Sequence, residues 1–315
     1  MNILFFYYII IIQLKYREKG GLKIEKKISV ARSNIKKYIK FFKCPLCDGN
    51  FEPQDFTLKC DNKHTYDLAK KGYANLFNGY TKITKTYDKQ LFTARKKISD
   101  AGLYSGLIEE ICRIIVGDPV RPFSAGSILD AGCGCGNLTH KIFKNIGVPT
   151  FAVDLSKDGI DFAAANYCEH DLIWLVSNLN NLPFQADAFN IILNIMSPAN
   201  YQEFKRVLKP GGTLIKVMPD ADYLKELRRF IYQEHDKNEY SNSDVINNLA
   251  ENINISEIIV VRYTHIVTPE HIPALFDMTP LTSNINEREQ VKQNLIAQNK
   301  NLEITLAFKI AVCEI

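Results

Sequence analysis

Three observations predict an α/β fold in which a Rossmann-like sheet follows a small N-terminal zinc-binding module. Strand-like and helix-like segments alternate through the C-terminal part of the chain, the pattern of a parallel sheet between helices. Within it, Ile128-Leu129-Asp130-Ala131-Gly132-Cys133-Gly134-Cys135-Gly136 runs from an apolar stretch through a glycine-rich turn into a helical stretch. Ahead of it, Cys44-Pro45-Leu46-Cys47 and Cys60-Asp61-Asn62-Lys63-His64 repeat the close pairing of metal ligands.

The chain's 315 residues suit one large or two unequal domains. Hydrophobic content of 46% is enough for a sizeable core. The net charge of +4 is lopsided: residues 1–43 carry eleven Lys and Arg against two Glu, which leaves −5 for the remainder. Overall basicity therefore says nothing about what the folded part binds. Of eight cysteines, two lie in the glycine turn and three in the metal-like cluster. That is no secreted disulfide framework, and it points to a reducing cytoplasm.

Residues 3–12 are an unbroken apolar run. The run is shorter than the roughly 20 residues that span a bilayer. It lacks the basic leader and small-residue cleavage site of a signal peptide. Residues 1–43 are accordingly expected to be a disordered or spurious extension, with no stable membrane association. Residues 44–78 form the expected metal module. Its ligands are Cys44, Cys47, Cys60 and His64, and four protein ligands fill a tetrahedral zinc and leave no open position, so the site is structural. Metal binding would supply folding energy that so small a module lacks.

Residues 79–118 read as a basic helical linker. From Lys70 to Lys97 there are eight cations against the single acid Asp88, with Tyr73, Phe77, Tyr80, Tyr87 and Phe92 interleaved. Such a mixture fits an unpaired RNA loop, whose phosphates need cations and whose splayed bases need aromatic faces. It fits a solvated helix face over core aromatics equally. Helix is expected over 91–116, broken near Gly102 and Gly106.

In the domain expected over 119–315, strands are predicted at 128–130, 150–153, 174–177, 189–194 and 213–218. The first helices follow at 137–144 and 157–166, and another at 201–208 is closed by Lys209-Pro210-Gly211-Gly212. An amphipathic helix over 222–234, a helix and loop over 241–254 and closing strands at 256–267 and 302–313 complete the chain. Residues 302, 304, 306, 308 and 310 are apolar at the period of a strand.

The glycine spacing selects the ligand. A dinucleotide fingerprint needs a third glycine where this chain has Asn137. Glycines at 132, 134 and 136 after Asp130 are instead the pattern of class I S-adenosylmethionine (SAM) methyltransferases. The amino-acid end of SAM needs backbone carbonyls and a carboxylate near its ammonium. Asp154, at the end of the second strand, is placed to take both ribose hydroxyls of the cofactor, although an acid there also caps helices. The exit of the third strand, Asn178-Leu179-Asn180-Asn181-Leu182-Pro183-Phe184, would run under the adenine.

The metal knuckle fused ahead of this core resembles the RlmA-type 23S rRNA (guanine-N1)-methyltransferases. The resemblance runs from about Cys44 to the C-terminus. Its marks include Lys71-Gly72-Tyr73-Ala74-Asn75-Leu76, Ala94-Arg95, Asp100-Ala101-Gly102-Leu103-Tyr104, Ser197-Pro198 and Met278-Thr279-Pro280. It implies methylation at N1 of one guanine in a 23S rRNA hairpin loop, a homodimer, and a zinc module that holds the RNA against the active-site cleft. It also implies that Tyr104 lies by the cofactor. The expected cofactor set is then Tyr104, Asp130, Gly132, Cys133, Gly134, Gly136, Asp154, Asn178 and Tyr223. Three departures stand out: Cys135 replaces a common glutamate, Tyr87-Asp88 stands where Gly-Asp is frequent, and Tyr223 occupies a position where relatives can carry His. Residues 1–43 have no counterpart.

N1 of neutral guanine bears a proton that must leave for methyl transfer. No carboxylate sits on the strand-four exit. Asn194, Ser197 and the carbonyls around Pro198 are the candidates for orienting the guanine edge, with water taking the proton. Ser197-Pro198 also reads as a rigid loop. The core motifs alone would also suit a small-molecule methyltransferase, which would leave the knuckle and the basic aromatic stretch unexplained.

Overall fold

The computed structural model describes residues 25–79, 89–117, 126–232, 242–282 and 288–315. The apolar run at 3–12 lies outside these, as do Tyr80, Lys82, Lys85, Tyr87 and Asp88 of the basic stretch. No helix among the described residues is long and apolar enough to cross a membrane.

The first element is one the sequence reading did not expect. Helix α1 spans Lys27–Lys37, followed by a single 3-10 turn at Ile39–Phe41. A three-stranded antiparallel ribbon follows, made of β1 (Phe51–Gln54), β2 (Thr57–Cys60) and β3 (Thr65–Asp67). The short β4 (Ala74–Asn75) leaves the ribbon and joins the main sheet. Helices α2 (Lys89–Asp100) and α3 (Ser105–Val116) lead into the core.

The core alternates as predicted: β5 (Ile128–Ala131), α4 (Asn137–Ile146), β6 (Thr150–Asp154), α5 (Lys157–Asn166), β7 (Leu172–Val176), β8 (Phe189–Ile195), α6 (Tyr201–Val207) and β9 (Leu208–Pro219). Helices α7 (Lys225–Tyr232) and α8 (Ser243–Asn252) precede β10 (Ile255–Val267). Helices α9 (Ile272–Asp277) and α10 (Arg288–Ala297) separate it from β11 (Leu302–Glu314).

The main sheet runs β10-β11-β9-β8-β5-β6-β7-β4, antiparallel at β10/β11 and β11/β9 and parallel elsewhere. The order reverses between β5 and β8, and open α/β sheets bind ligands at that switch point, outside the carboxyl ends of the strands. Side chains alternate across the sheet. Leu129, Ala131, Phe151, Val153 and Ile192 face a core shared with the ribbon, α6 and α8. Ile128, Ile191, Leu193, Ile215 and Val217 face a core shared with α3, α4, α7 and α9. Near-continuous burial of β5, β7 and β8 is what a sheet covered on both faces requires.

Local signals set the helix limits. Gly136 and Gly147 bracket α4 in left-handed conformation, at φ 75° and 70°. Ser156 Oγ accepts the Gly159 N–H at the start of α5, and Asn200 the Glu203 N–H at the start of α6.

Several expected boundaries are corrected. Residues 25–43 are no disordered tail: Ile35 and Phe42 are 2% and 1% exposed in the main core. The buried Asn34 donates to the Glu169 and Leu172 carbonyls and accepts from the Asp171 N–H. The described parts of 79–118 are no linker, because Ile98, Leu103, Leu107 and Ile111 are fully buried under the sheet. Gly102 separates α2 from α3, but Gly106 lies inside α3 against the Tyr263 ring. The fifth strand begins earlier than predicted and carries Lys-Pro-Gly-Gly within it, since Leu208 already pairs with Phe189.

A cofactor-sized cavity beside a four-ligand cluster

The ribbon brings Cys44, Cys47, Cys60 and His64 together, with all four ligand atoms within 4.8 Å of one another. Sγ of Cys47 and Cys60 are 3.7 Å apart, and His64 Nδ1 lies 3.5 Å from Sγ of both Cys44 and Cys60. Tetrahedral zinc at ordinary bond lengths sets sulfur–sulfur edges of about 3.8 Å and sulfur–nitrogen edges of about 3.6 Å. The donors therefore fit zinc. The Gly49 backbone N–H, above all, holds the Cys47 thiol down at about 6, toward the thiolate a metal needs.

At the switch point the glycine turn, the exits of β6, β7 and β8 and residues 278–280 enclose a cavity of about 940 Å³. Tyr104, Asp130, Gly132, Cys133, Gly134, Asp154, Asn178, Ser197 and Tyr223 all line it. So do Asn75, Phe77 and Gly79, from the segment that leaves the ribbon.

Asp130 is 2% exposed. Its Oδ2 accepts from Thr139 Oγ1 at 2.6 Å, while its Oδ1 has no hydrogen-bond partner. Burial, chiefly, pushes its carboxyl up to about 7. An orphaned buried oxygen at a cavity wall suits the ammonium end of SAM. Asp154 accepts the Gly134 N–H at Oδ2 and the Ser156 N–H at Oδ1, both at 2.7 Å. It thus braces the glycine turn and keeps further lone pairs for a ligand. Gly132, at φ 90°, is required by contact: a Cβ there would lie 1.8 Å from Ser197 Oγ. Tyr104 and Tyr223 share a hydrogen bond at 2.9 Å, and burial raises both phenols, so neither serves as a base at neutral pH.

Three expectations do not survive in detail. Gly136 lies outside the cavity lining. A Cβ there would lie 2.5 Å from the Trp174 ring, so its role is helix-on-sheet packing. Asn194 is fully buried and does not reach the cavity, since its amide donates to the Ala131 and Pro198 carbonyls at 2.7 and 2.9 Å. Only the first part of the β7 exit, residues 178–180, borders the cavity. Phe184 turns away into the core, where its ring lies 4.8 Å from Phe189.

Arg95 had no role assigned from the sequence beyond being part of a resembling motif. It lines the cavity, its Nε donates to the Met278 carbonyl at 3.0 Å, and its charge partly offsets the burial that raises Asp154, Tyr104 and Tyr223. Only the tertiary structure brings α2 over the glycine turn.

A family model described as RlmA, N-terminal, a zinc ribbon, matches residues 42–85, and one described as a methyltransferase domain matches residues 128–212. YxjB of Bacillus subtilis (strain 168), which carries the name of a 23S rRNA (guanine-N1)-methyltransferase, is 36% identical over 279 residues, spanning 86% of this chain and 96% of that protein. The chain belongs to the RlmA-type 23S rRNA (guanine-N1)-methyltransferase family. The 23S rRNA (guanine(748)-N(1))-methyltransferase of Streptomyces fradiae is 31% identical over 61% of this chain and 68% of its own length. By contrast, a malonyl-[acyl-carrier protein] O-methyltransferase of Hahella chejuensis, 33% identical, covers only 42% of this chain. The ribbon model's match begins two residues before the expected start at 44 and ends at residue 85.

Proposed function

We infer that this RlmA-type chain methylates N1 of a guanine in a hairpin loop of 23S rRNA, as a cytoplasmic homodimer with SAM as donor and a structural zinc in the ribbon. The observation that carries this reading is the continuity of ribbon and cavity. β4 pairs in parallel with β7, at Ala74↔Leu175 and Asn75↔Val176, and the next residues form part of the cavity wall. A strand pairing is directional and short-ranged, so RNA gripped by the ribbon has a fixed path to the methyl donor.

When bound, SAM supplies an electrophilic methyl carbon on a sulfonium. Asp154 would hold the ribose hydroxyls, Asp130 the ammonium and Arg95 the carboxylate. Asn178 and Leu179 would flank the adenine, while Tyr104, Tyr223, Cys133 and the glycine turn shape the amino-acid end. Ser197 and the backbone at Pro198, which line the cavity, would orient the acceptor's edge. Positioning carries much of the rate by holding donor and acceptor in a near-attack geometry. The target base would have to leave its stack to bring N1 to the donor.

Incubation with labelled SAM and a 23S rRNA hairpin fragment, with a metabolite extract as competing acceptor, tests the reading. Label should appear at guanine N1 of the RNA. Label in the extract alone would overturn it. RNA affinity should also fall steeply with salt while SAM affinity changes little, because phosphate contacts release counterions. Replacing Lys82, Lys85 and Lys89 together by Ala should reduce that salt slope by a few units at most, leaving SAM binding near normal. Sedimentation of the purified protein tests the dimer.

A further inference from the structure

Lys216 lies in the middle of β9 and is 3% exposed. Its Nζ donates to Asn194 Oδ1 at 2.6 Å and to the Ser197 carbonyl at 3.2 Å. No carboxylate lies within ion-pair distance of it among the described residues. A buried ammonium without a counter-ion is costly, and a core usually replaces it with an apolar side chain. Here it is kept, and its surroundings give a reason.

Its two acceptors belong to the parts of the fold that face donor and acceptor. Asn194 passes the contact on to the Ala131 carbonyl, one residue before the glycine turn, and to the Pro198 carbonyl on the β8 exit. Ser197 and Pro198 line the cavity. Between them and β8, Met196 takes a left-handed φ of 50°, a conformation that costs energy for a side chain of this kind, and its N–H is held by the Val217 carbonyl at 3.0 Å. One buried cation thus ties together a strained loop and the turn that cradles the donor.

We propose that Lys216 is a positioning residue that, through Asn194 and Ser197, fixes the β8 exit loop and holds a positive charge beneath the acceptor base, favouring guanine with N1 deprotonated. The proposal rests on the guanine-N1 reading and supplies what that reading lacks, since the β8 exit that lines the cavity, residues 195–199, carries no side-chain base. Methyl transfer forms the N1–carbon bond as the carbon–sulfur bond breaks, and the N1 proton passes to water. The N1 anion carries its charge over N1 and O6, and a fixed cation nearby stabilises that charge in a site of low dielectric. Burial lowers the Lys216 ammonium to about 8, and among the described residues the Cys313 thiol on β11 is the titratable group that acts against this. Cys313 is itself raised by burial to about 11, so it is a neutral thiol at working pH and no counter-ion. The side chain it hydrogen-bonds, Asn194 on β8, is neutral. An anionic acceptor would raise the ammonium again, since opposite charges favour each other's ionised form.

Single-turnover methylation of the RNA hairpin, followed against pH, tests this with Lys216→Met, Lys216→Gln and Lys216→Arg. The wild-type rate should rise with pH and level off. Met and Gln should slow transfer by about 100-fold near neutral pH. In both, the levelling pH should move up by about one unit or more, with SAM and RNA dissociation constants nearly unchanged. Arg should recover most of the rate and the wild-type profile. Gln keeps hydrogen-bond donors without the charge, so a Gln variant with wild-type rate and profile would overturn the proposal. Loss confined to SAM affinity would overturn it too. Should Met fail to fold, Gln and Arg decide the matter alone. Wild-type protein that leaves guanine N1 unmethylated would instead refute the functional reading, separately from this inference.

Discussion

At the scale of single residues, the cavity sets two carboxylates in contrasting surroundings. Asp154 is held by two backbone N–H groups, whereas Asp130 has one hydroxyl partner and an orphaned oxygen. Removing Asp154 should therefore weaken SAM binding by about 1–3 kcal/mol through lost charge-assisted hydrogen bonds, measurable by calorimetry of Asp154→Ala. Asp130 makes a different, pH-dependent prediction. Its folded carboxyl sits near 7, above the ordinary 3.8, so the folded state holds a proton that the unfolded chain has lost. The sign follows: stability from this group is greatest at low pH and is lost as pH rises from about 4 through 7. Asp130→Asn should melt higher than wild type above pH 7, and the gap should close toward pH 4. SAM affinity has the opposite trend, falling as pH drops through about 7, because only the charged carboxylate pairs with an ammonium. A SAM affinity flat across that range would exclude Asp130 from the ammonium site.

At the scale of elements, α1 revises the view of the N-terminus. Its Asn34 and Ile35 dock on the β7 side of the core, while Arg32 reaches Asp55 at the ribbon's β1–β2 tip and lies 5.4 Å over the Phe56 ring. The Lys27 backbone packs under Gly72, whose φ of 94° leaves no room for a Cβ, 2.8 Å from the Lys27 carbonyl. The helix thus bridges ribbon and catalytic core. The exposed Arg32–Asp55 pair contributes little by itself, so the docking rests on apolar burial and on Asn34. Ile35→Ala should cost about 2–5 kcal/mol in urea unfolding, as expected for a fully buried side chain. Unchanged stability would show that α1 is peripheral after all. The ribbon itself should depend on its metal. Purified protein should contain about one zinc per chain, and Cys60→Ser or a strong chelator should abolish RNA methylation while SAM binding persists. Zinc analysis, far-UV spectra and calorimetry on the same samples check each part.

At the scale of the whole molecule, the glycine turn, Asp154 at the second strand end and the two cysteine knuckles could all be read in the chain, and each is where the sequence placed it. They share a property: their chemistry needs residues close in sequence, so spacing alone reports it. The turn needs glycines two apart, and each knuckle needs its two ligands three or four apart. The core strands were legible for a similar reason, since a sheet buried on both faces writes itself as runs such as Leu172-Ile173-Trp174-Leu175-Val176. What the tertiary structure alone decided involves partners far apart. Asn194 looked like a residue that could touch the base, and Lys216, on the following strand, pulls it inward instead. Arg95 reaches the cavity only because α2 crosses the turn, and α1 was hidden because a weakly amphipathic, lysine-rich stretch declares no core face until β7 offers one. Sequence periodicity records which residues leave water along one element. Which distant residue fills the space they leave is set by packing, where every contact depends on the arrangement of all the elements at once.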